Sequence, residues 1–516
     1  MPYAIPFLIL ALSIFLSACS VNPVTGEKQI IFASLSEEVK IGKEQYKPSQ
    51  QSQGGQYLLD PKLSAYINKV GQTLAAVSDQ PGLPYEFVVL NNSVPNAWAL
   101  PSGKIAINRG LLTKLTNEAQ LAAVLSHEIV HAAARHGAQR MRDNMLTQVG
   151  VQGLGLALGN NDYRDLIIGG ASLGAQLTTS KYGRDHELES DQYGMKYMAK
   201  TGYNLQGAVE LQELFLSFSK GKESSWFEGL LASHPPSQER VSENKKHQQQ
   251  YPSAGNFTGK REYREALSYL MSKLEAYEFA DKANVAHAKK DDKKALWLIN
   301  KAIEIEPNEA LFRSILGGIY DKQGEPTLAL IAHNKATELN PEQFSYYLKR
   351  ANSFLALNQT ENAQADLMHS MALLPSSSAA LQLGNLFQQN GHEDQAIDYF
   401  TQAATSHSKT GSEARKQLAR LDINDNPNKY LKVTHIQDPK GPLLVSIENR
   451  SPLTITKITF KSQLFNEDDT LIKEESWNTT EAIASGKRSR YYPIPVSYHL
   501  PPDQKVKTII KMLETK

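Results

Sequence analysis

Apolar and polar positions follow four successive patterns along this chain of 516 residues. Residues 1–18 are almost continuously apolar, and residues 19–262 carry apolar side chains mainly at helical spacing, with a few short β-like runs. Residues 274–421 repeat a helical pattern, and residues 430–516 return to short strand-like runs between turn residues. The patterns predict a multidomain protein: a mostly α-helical domain with a small β-sheet, then an α-solenoid, then a small β-sandwich.

Local signals place elements within the first domain. Helical spacing of apolar residues predicts a helix over residues 60–76, whereas the Ser/Gln/Gly-rich residues 47–57 predict a loop after a helix over residues 36–45. We also expect three short strands, at residues 85–90, 96–100 and 104–107. Two helices rich in small residues are expected within residues 145–179.

The candidate chemistry begins in Ala119–Gly137, which contains the sequence HEIVH. On a helix, His127 and His131 project from one face a turn apart, so both imidazoles can reach a single metal ion. Neutral imidazoles suit Zn²⁺, and Glu128 beside them can take a proton from an attacking water. A bare HExxH also arises by chance, so two ordinary histidines on a buried helix are the alternative.

A second segment, Tyr182–Gly194, supplies what the first lacks. Glu187 and Asp191 stand four residues apart, again on one helical face. A catalytic zinc site needs three protein ligands, and His, His and Glu form one of the known sets. Glu187 is therefore the predicted third ligand, and Asp191 can accept the remaining N–H of a ligand histidine. The alternative is a solvated acidic helix face.

Together with SHPPSQERV at residues 233–241, these two blocks resemble the zinc metalloproteases of the HtpX and CAAX prenyl protease superfamily, the gluzincins. The resemblance covers roughly residues 20–270 and implies a zincin-type fold. It also implies one Zn²⁺ per chain, held by His127, His131 and Glu187. Glu128 is then the general base, and Asp191 supports a ligand histidine from behind.

The same resemblance assigns residues outside the two blocks. His234 either stabilises the tetrahedral oxyanion or occupies the open position of the metal as a latch, and Arg240 binds the oxyanion or an acidic neighbour. Asn96 and Ala97 belong to an edge strand beside the zinc, where a peptide substrate can add main-chain hydrogen bonds. A loop histidine and a plain turn residue are the alternatives for His234 and Asn96.

Two further histidines, His136 and His186, adjoin the motifs but fall off the metal-facing positions. We expect both at the surface or behind the ligands.

A repeat follows the first domain. Three blocks, KAIEIEP, KATELNP and HSMALLP, end in Pro307, Pro341 and Pro375, which are 34 residues apart. A helix–turn–helix period of this length resembles the tetratricopeptide repeat, and about four repeats are expected over residues 274–421. Stacked repeats leave a concave groove, which predicts the docking of a partner protein. A structural spacer or a dimer interface is the alternative.

The N-terminus predicts a signal peptide over residues 1–18, because the apolar run is short and polar sequence follows abruptly. Leu16-Ser17-Ala18-Cys19 resembles a bacterial lipobox, in which Cys19 is lipidated and becomes the mature N-terminus. Ser20 in place of Asp favours the outer membrane by the same resemblance. An uncleaved anchor is the alternative, since no Lys or Arg precedes the run.

Composition changes this picture little. The net charge of +1 gives no indication of a nucleic acid partner, and the hydrophobic content of 41% argues against a polytopic membrane protein. We therefore expect a lipid-anchored periplasmic zinc metalloendopeptidase at the inner face of a Gram-negative outer membrane. The resemblance implies that its substrates are exposed or misfolded envelope proteins recruited by the repeats, which also suit outer-membrane assembly machinery. The alternative is an assembly chaperone or adaptor whose protease site is gated and mostly silent.

Overall fold

The computed structural model describes residues 19–31, 33–151, 178, 181–220, 228–437, 441–496, 500–501 and 504–516. The predicted signal peptide and most of the small-residue segment at 145–179 lie outside these residues. The chain separates into two compact units, Met1–Leu374 and Pro375–Lys516. Within the described ranges, no helix is long and apolar enough to cross a membrane.

The first unit begins as a mainly helical body with two small sheets. Its strands are β1 Cys19–Val21, β2 Lys28–Ile30, β3 Glu86–Leu90, β4 Ala97–Leu100 and β5 Lys104–Asn108. Its helices up to residue 272 are α1 Leu35–Ser52, α2 Pro61–Ala75, α3 Arg109–Leu112, α4 Glu118–Ala133, α5 His136–Val151, α6 Arg184–Lys200, α7 Gln206–Lys220, α8 Glu228–Ser233, α9 Gln238–Gln250, α10 Lys260–Ala266 and α11 Ser268–Ser272.

The three-stranded sheet has the order β3-β5-β4, with β5 parallel to β3 and antiparallel to β4. Every residue of β4 and β5 is buried, in keeping with their near-continuous apolar sequences. Strand β4 lies at an edge of this sheet, as the family resemblance implied, and Ala97 pairs with Ile107 of β5.

Helix α4 carries HEIVH and lies at the centre of the unit, with all of its residues buried. Asn117 starts it, because its side chain accepts a hydrogen bond from the backbone N–H of Gln120 at 2.9 Å. The helix ends before Arg135, whose backbone is left-handed at φ 62°. Such a conformation is costly outside glycine, so the surroundings of Arg135 must enforce it.

The Arg135 guanidinium fastens the N-terminal segment to the end of α4. It donates hydrogen bonds to Ser20 Oγ and to the Ala33 carbonyl, both at 2.8 Å, and to the Glu38 carboxylate. Glu38 is 1% exposed, and its burial raises the pKa of the carboxyl while Arg135 opposes the rise. These contacts tie both β1 and the start of α1 to the end of the helix that carries HEIVH.

The loop expected at residues 47–57 is wrong over its first half, because α1 continues through Pro48 to Ser52. The reason is tertiary packing. Tyr46 is 7% exposed, and its hydroxyl donates to the Ile105 carbonyl at 2.9 Å, which anchors the helix against the sheet. Burial of one face outweighs the weak helix propensity of the sequence KPSQQS.

Paired helices follow within the first unit: α12 Leu274–Ala288, α13 Asp292–Ile305, α14 Ala310–Gln323, α15 Pro326–Leu339, α16 Phe344–Ala356 and α17 Thr360–Leu373. Ala302, Ala336 and Ser370 are fully buried, as small residues at the repeat contacts should be. The predicted domain bounds stay predictions, but the first helix pairs and the N-terminal body share one hydrophobic core.

Buried polar contacts also join the N-terminal body to the first repeat helices. The guanidinium of Arg109 lies 3.5 Å from the centroid of the Tyr277 ring and donates to Asn91 Oδ1 at 2.8 Å. Glu309 accepts from the Tyr277 hydroxyl at 2.6 Å and from Asn91 Nδ2 at 3.1 Å. These repeat helices are thus part of the same body and not a freely hinged arm.

The second unit holds a further set of helices and then strands. The helices are α18 Ser377–Gln389, α19 Glu393–Ala404, α20 Lys409–Asp422 and α21 Pro427–Tyr430, and the strands are β6 Leu431–Gln437, β7 Leu443–Asn449, β8 Ile455–Phe465, β9 Leu471–Thr479, β10 Tyr492–Pro493 and β11 Lys505–Thr515. The strands form two antiparallel sheets of order β10-β7-β6 and β11-β8-β9 around a shared apolar core. This is the predicted β-sandwich.

The buried pair at the N-terminal segment gives a stability prediction. Glu38→Ala leaves the Arg135 guanidinium without its carboxylate, and we expect the free energy of unfolding of the first unit to fall by about 3 kcal/mol. Urea unfolding measures the change. Lys40→Ala is the control on the same helix, since its partner Glu44 lies 3.9 Å away at the surface and such pairs contribute roughly 0.5 kcal/mol. Equal, small effects of both substitutions would contradict the assignment.

Candidate metal centre

Helices α4 and α6 cross closely and bring the two sequence motifs together. Gly194 of α6 permits this approach, because a Cβ atom there would lie 3.1 Å from Ser126 Oγ and 3.2 Å from the His127 amide nitrogen. The 3.6-residue period then turns His127 and His131 of α4, and Glu187 and Asp191 of α6, toward each other.

Four side chains form the buried cluster at this crossing: His127, His131, Glu187 and His234. One potential ligand atom from each lies within 4.8 Å of all the others. The Nε2 atoms of His127 and His131 lie 3.0 Å apart, and His131 Nε2 lies 3.3 Å from Glu187 Oε1. His234 Nδ1 lies 3.1 Å from the same carboxylate oxygen. All four residues are at most 7% exposed.

The donor set fits zinc. Three imidazoles and a carboxylate are ligands that Zn²⁺ prefers, and three of them leave a fourth position open. Two buried polar atoms at the cluster, Glu128 Oε2 and His234 Nε2, have no hydrogen-bond partner among the described residues. Unpartnered buried polar atoms are costly, so they indicate a group that these side chains are arranged to meet.

Asp191 and Arg240 support the cluster from behind. Asp191 Oδ1 lies 2.9 Å from His127 Nδ1, the arrangement that directs Nε2 of that ring into the cluster. Arg240 donates through Nε and Nη2 to the two oxygens of Asp191, both at 2.7 Å, and its Nη1 lies 2.7 Å from Glu187 Oε2. Burial opposes ionisation of both carboxyls, but the charge of Arg240 holds the pKa of Asp191 low and that of Glu187 well below its usual range.

Electrostatics separate the remaining groups. Burial raises the pKa of Glu128, although the charges of His234 and His127 oppose the rise. Burial also lowers the pKa of His131 well below its usual value, so this ring stays neutral and keeps a lone pair for a metal. The pKa of His234 is raised: burial lowers it, but the charges of Glu187 and Glu128 outweigh burial.

The aromatic surroundings of His131 were missed by the sequence reading. The Tyr182 ring stacks on the imidazole of His131 at 3.7 Å between centroids. The Arg140 guanidinium lies 4.1 Å from the centroid of the Tyr182 ring. His136, expected at the surface or behind the ligands, is fully buried with its Nδ1 2.9 Å from His131 Nδ1. No periodic signal marks these residues, because they precede or follow the helices that carry the motifs.

The predicted substrate edge lies beside the cluster. Ala97 starts β4 and lines, with Glu128 and His234, a cavity of about 20 Å³, which is about the space of one water molecule. Asn96 is 8% exposed, its carbonyl accepts from the Asn108 N–H at 2.8 Å, and its Oδ1 lies 3.4 Å from Ser233 Oγ. The site is therefore closed to a peptide in this conformation.

Two other features lie apart from the cluster. A larger cleft, of about 930 Å³, lies between Arg109 and the helices that contain Tyr277 and Leu298, and no residue of the cluster lines it. The size of this cleft does not indicate a reaction, so we place the candidate site at the cluster of His127, His131, Glu187 and His234. Cys19, the predicted lipidation site, begins β1 and pairs with Ile30.

Comparison with known proteins agrees with this geometry. Residues 61–248 match peptidase family M48, and residues 377–406 match a tetratricopeptide repeat. The beta-barrel assembly-enhancing protease of Escherichia coli (strain K12) is 27% identical over 234 residues, which are 44% of this chain and 47% of that protein. The mitochondrial metalloendopeptidase OMA1 of Arabidopsis thaliana is 31% identical over 162 residues, 31% of this chain and 32% of that protein.

The family resemblance inferred from the motifs is thereby confirmed for this domain, as is a repeat region. The match spans less than half the length of these two curated relatives. A solved structure of Pseudomonas aeruginosa pilF overlaps 30% of this chain and 71% of that chain, at 18% identity and a TM-score of 0.29, too weak a likeness to bear on the fold.

The cluster predicts measurable metal binding. We expect one zinc per purified chain, and a fall in melting temperature on chelation that added zinc reverses. A ligand that binds only the folded state stabilises it by about 4 kcal/mol at a thousandfold excess over its Kd. Glu187→Ala should lose zinc affinity, measured by competition with a chromophoric chelator. Glu213→Ala, which removes an exposed partner of Lys245, is the matched control. Unchanged zinc affinity in Glu187→Ala would contradict the ligand set.

Proposed function

We propose that this protein is a zinc-dependent endopeptidase of the bacterial envelope. One observation carries the proposal: two helices deliver His127, His131 and Glu187 to a single buried point beside Glu128. The matched metallopeptidase domain supports it. When bound to these three residues, zinc supplies a Lewis acid that polarises the scissile carbonyl.

Glu128 is the proposed general base. It takes the proton of the attacking water and returns it to the leaving amine, which needs a carboxylate whose pKa lies nearer neutrality than that of an exposed glutamate. Its burial on α4 supports this role. Asp191 and Arg240 keep the imidazole of His127 in one orientation. The close contacts of Arg240 with Asp191 and Glu187 favour the acidic neighbour, and not the oxyanion, as its partner.

A substrate would bind as an added strand on the edge of β4 that faces away from β5. Asn96 and Ala97 begin that edge, and the pairing of main-chain groups is tolerant of sequence. Such binding suits an enzyme that acts on unfolded or misassembled chains, which expose extended backbone. The small cavity beside Ala97 means that the present closed state must open first.

His234 is the proposed gate. Its Nδ1 lies 3.1 Å from Glu187 and 3.3 Å from His127 Nε2, so the ring stands within the ligand group and not at its margin. A side chain there takes the position that water and substrate need. This geometry favours the latch over oxyanion stabilisation, and it also supports the alternative function, an assembly chaperone or adaptor with a mostly silent protease site.

Envelope substrates and membrane attachment complete the proposal. The similarity to the beta-barrel assembly-enhancing protease supports a periplasmic location and outer-membrane proteins as substrates. The repeats offer a surface for such substrates or for assembly machinery. Lipidation of Cys19 would anchor the chain at the outer membrane, and distribution between membrane and soluble fractions, compared with Cys19→Ser, tests this part.

The general base gives the decisive prediction. We expect Glu128→Gln to lower the rate of casein cleavage by at least about a hundredfold, because the amide cannot accept the proton of water. Zinc content should not change, since Glu128 is not a proposed ligand. Glu118→Gln, at the start of the same helix, is the isosteric control and should keep activity. Cleavage by Glu128→Gln at the wild-type rate would refute the mechanism.

The gate gives a prediction of opposite sign. We expect His234→Ala to keep zinc, held by its three remaining ligands, and to cleave casein several times faster than wild type. His247→Ala, on the exposed end of α9, should behave as wild type. Loss of cleavage with zinc retained would instead assign His234 to oxyanion stabilisation and overturn the gate.

A further inference from the structure

His136 lies in a short chain of polar contacts that leaves the metal cluster. The residue starts α5, is fully buried, and places its Nδ1 2.9 Å from Nδ1 of His131. Its other nitrogen, Nε2, lies 3.4 Å from Glu189 Oε1, within ion-pair distance but outside hydrogen-bond geometry. Glu189 Oε1 also accepts a hydrogen bond from Asn22 Nδ2 at 2.8 Å. Four residues, from the N-terminal segment and from helices α4, α5 and α6, thus form one line.

The direction of hydrogen bonding along this line follows from the metal cluster. His131 turns Nε2 into the cluster, 3.3 Å from Glu187, so that nitrogen must be the unprotonated one when a metal binds. The ring proton then sits on Nδ1 and can be donated only to an acceptor. His136 Nδ1 must therefore be unprotonated, and its proton must sit on Nε2, facing the Glu189 carboxylate.

The outer end of the line is fixed by the N-terminal segment. Asn22 follows β1, and its Oδ1 accepts from the Val24 N–H at 2.9 Å, which holds the side chain so that Nδ2 points to Glu189. Arg135, the residue before His136, holds Ser20 of the same segment at 2.8 Å. The N-terminal segment therefore contacts both Arg135, which precedes His136, and Glu189, which faces the His136 ring.

We propose that Glu189, His136 and Asn22 orient the metal-ligating ring of His131, so that the N-terminal segment forms part of the metal site. His136 is a positioning residue, because it contacts a ligand and not the metal or the substrate. Metal-binding histidines depend on the acceptor of their second N–H for orientation and basicity. The inference rests on the proposed zinc site.

One competing acceptor lies nearby. Ser190 Oγ is 3.4 Å from His131 Nδ1, a longer contact than the 2.9 Å of His136. His186 stacks on His136 at 4.2 Å between ring centroids, but its Nε2 contacts Gln139 Oε1 and no member of the line. These two residues supply controls with the same surroundings and different contacts.

The test measures zinc affinity by competition with a chromophoric chelator, which is independent of peptide cleavage. His136→Leu removes the acceptor, and we expect the zinc Kd to rise at least about tenfold. His136→Asn keeps an acceptor oxygen near the position of Nδ1 and should stay within a few-fold of wild type. Glu189→Gln and Asn22→Ala should weaken zinc in the same direction by less, and Glu189→Gln should add little to His136→Leu.

Controls separate the possible failures. Ser190→Ala and His186→Phe should bind zinc as wild type does, and the melting temperatures of the zinc-free variants report any loss of folding. If His136→Leu does not fold, the Glu189 and Asn22 variants still decide the question. Wild-type zinc affinity in His136→Leu, or a larger loss in Ser190→Ala, would overturn the proposal. Absence of zinc binding by the wild type would instead refute the proposed function.

Discussion

The buried contact of Arg240 with two carboxylates is the constraint on which the metal centre depends. Arg240 comes from α9, and both Asp191 and Glu187 come from α6; all three side chains are at most 6% exposed. Isolated buried charges cost several kcal/mol each, so none of these groups is tolerable without the others. The guanidinium group holds the Asp191 carboxylate in place, and this carboxylate orients the imidazole of His127. Helices α4 and α6 are thereby held at the distance that a shared cation requires.

This constraint explains which parts of the site could be read from the sequence. His127, His131, Glu187 and Asp191 could be predicted because each pair is spaced four residues apart on a helix, and helical geometry converts that spacing into a shared face. The relation of Arg240 to this face came only from a family resemblance, since nothing in local spacing shows which distant residue will neutralise a buried carboxylate.

His136 shows a different limit. It stands five residues after His131, a spacing that points away from the ligand face of a continuous helix. The left-handed residue Arg135 ends α4 there and starts a new helix in another direction, which returns the His136 ring to His131. The same applies to Pro48, where packing of Tyr46 prolongs a helix beyond its apparent end. In both positions tertiary contacts decide what local patterns cannot.

The closed site and the attached N-terminal segment both bear on how the proposed protease would be held inactive. If the closed state outweighs the open state by a hundred to one, the apparent affinity for substrate falls about a hundredfold, or ~2.7 kcal/mol. Under the proposal, the exchange of His234 at the open metal position is the step that would have to supply this energy. The proposed role of the N-terminal segment is different, because its contacts lead to His131, which would remain a ligand in both states. Under the proposed assignment, the segment contributes to holding the metal while His234 moves.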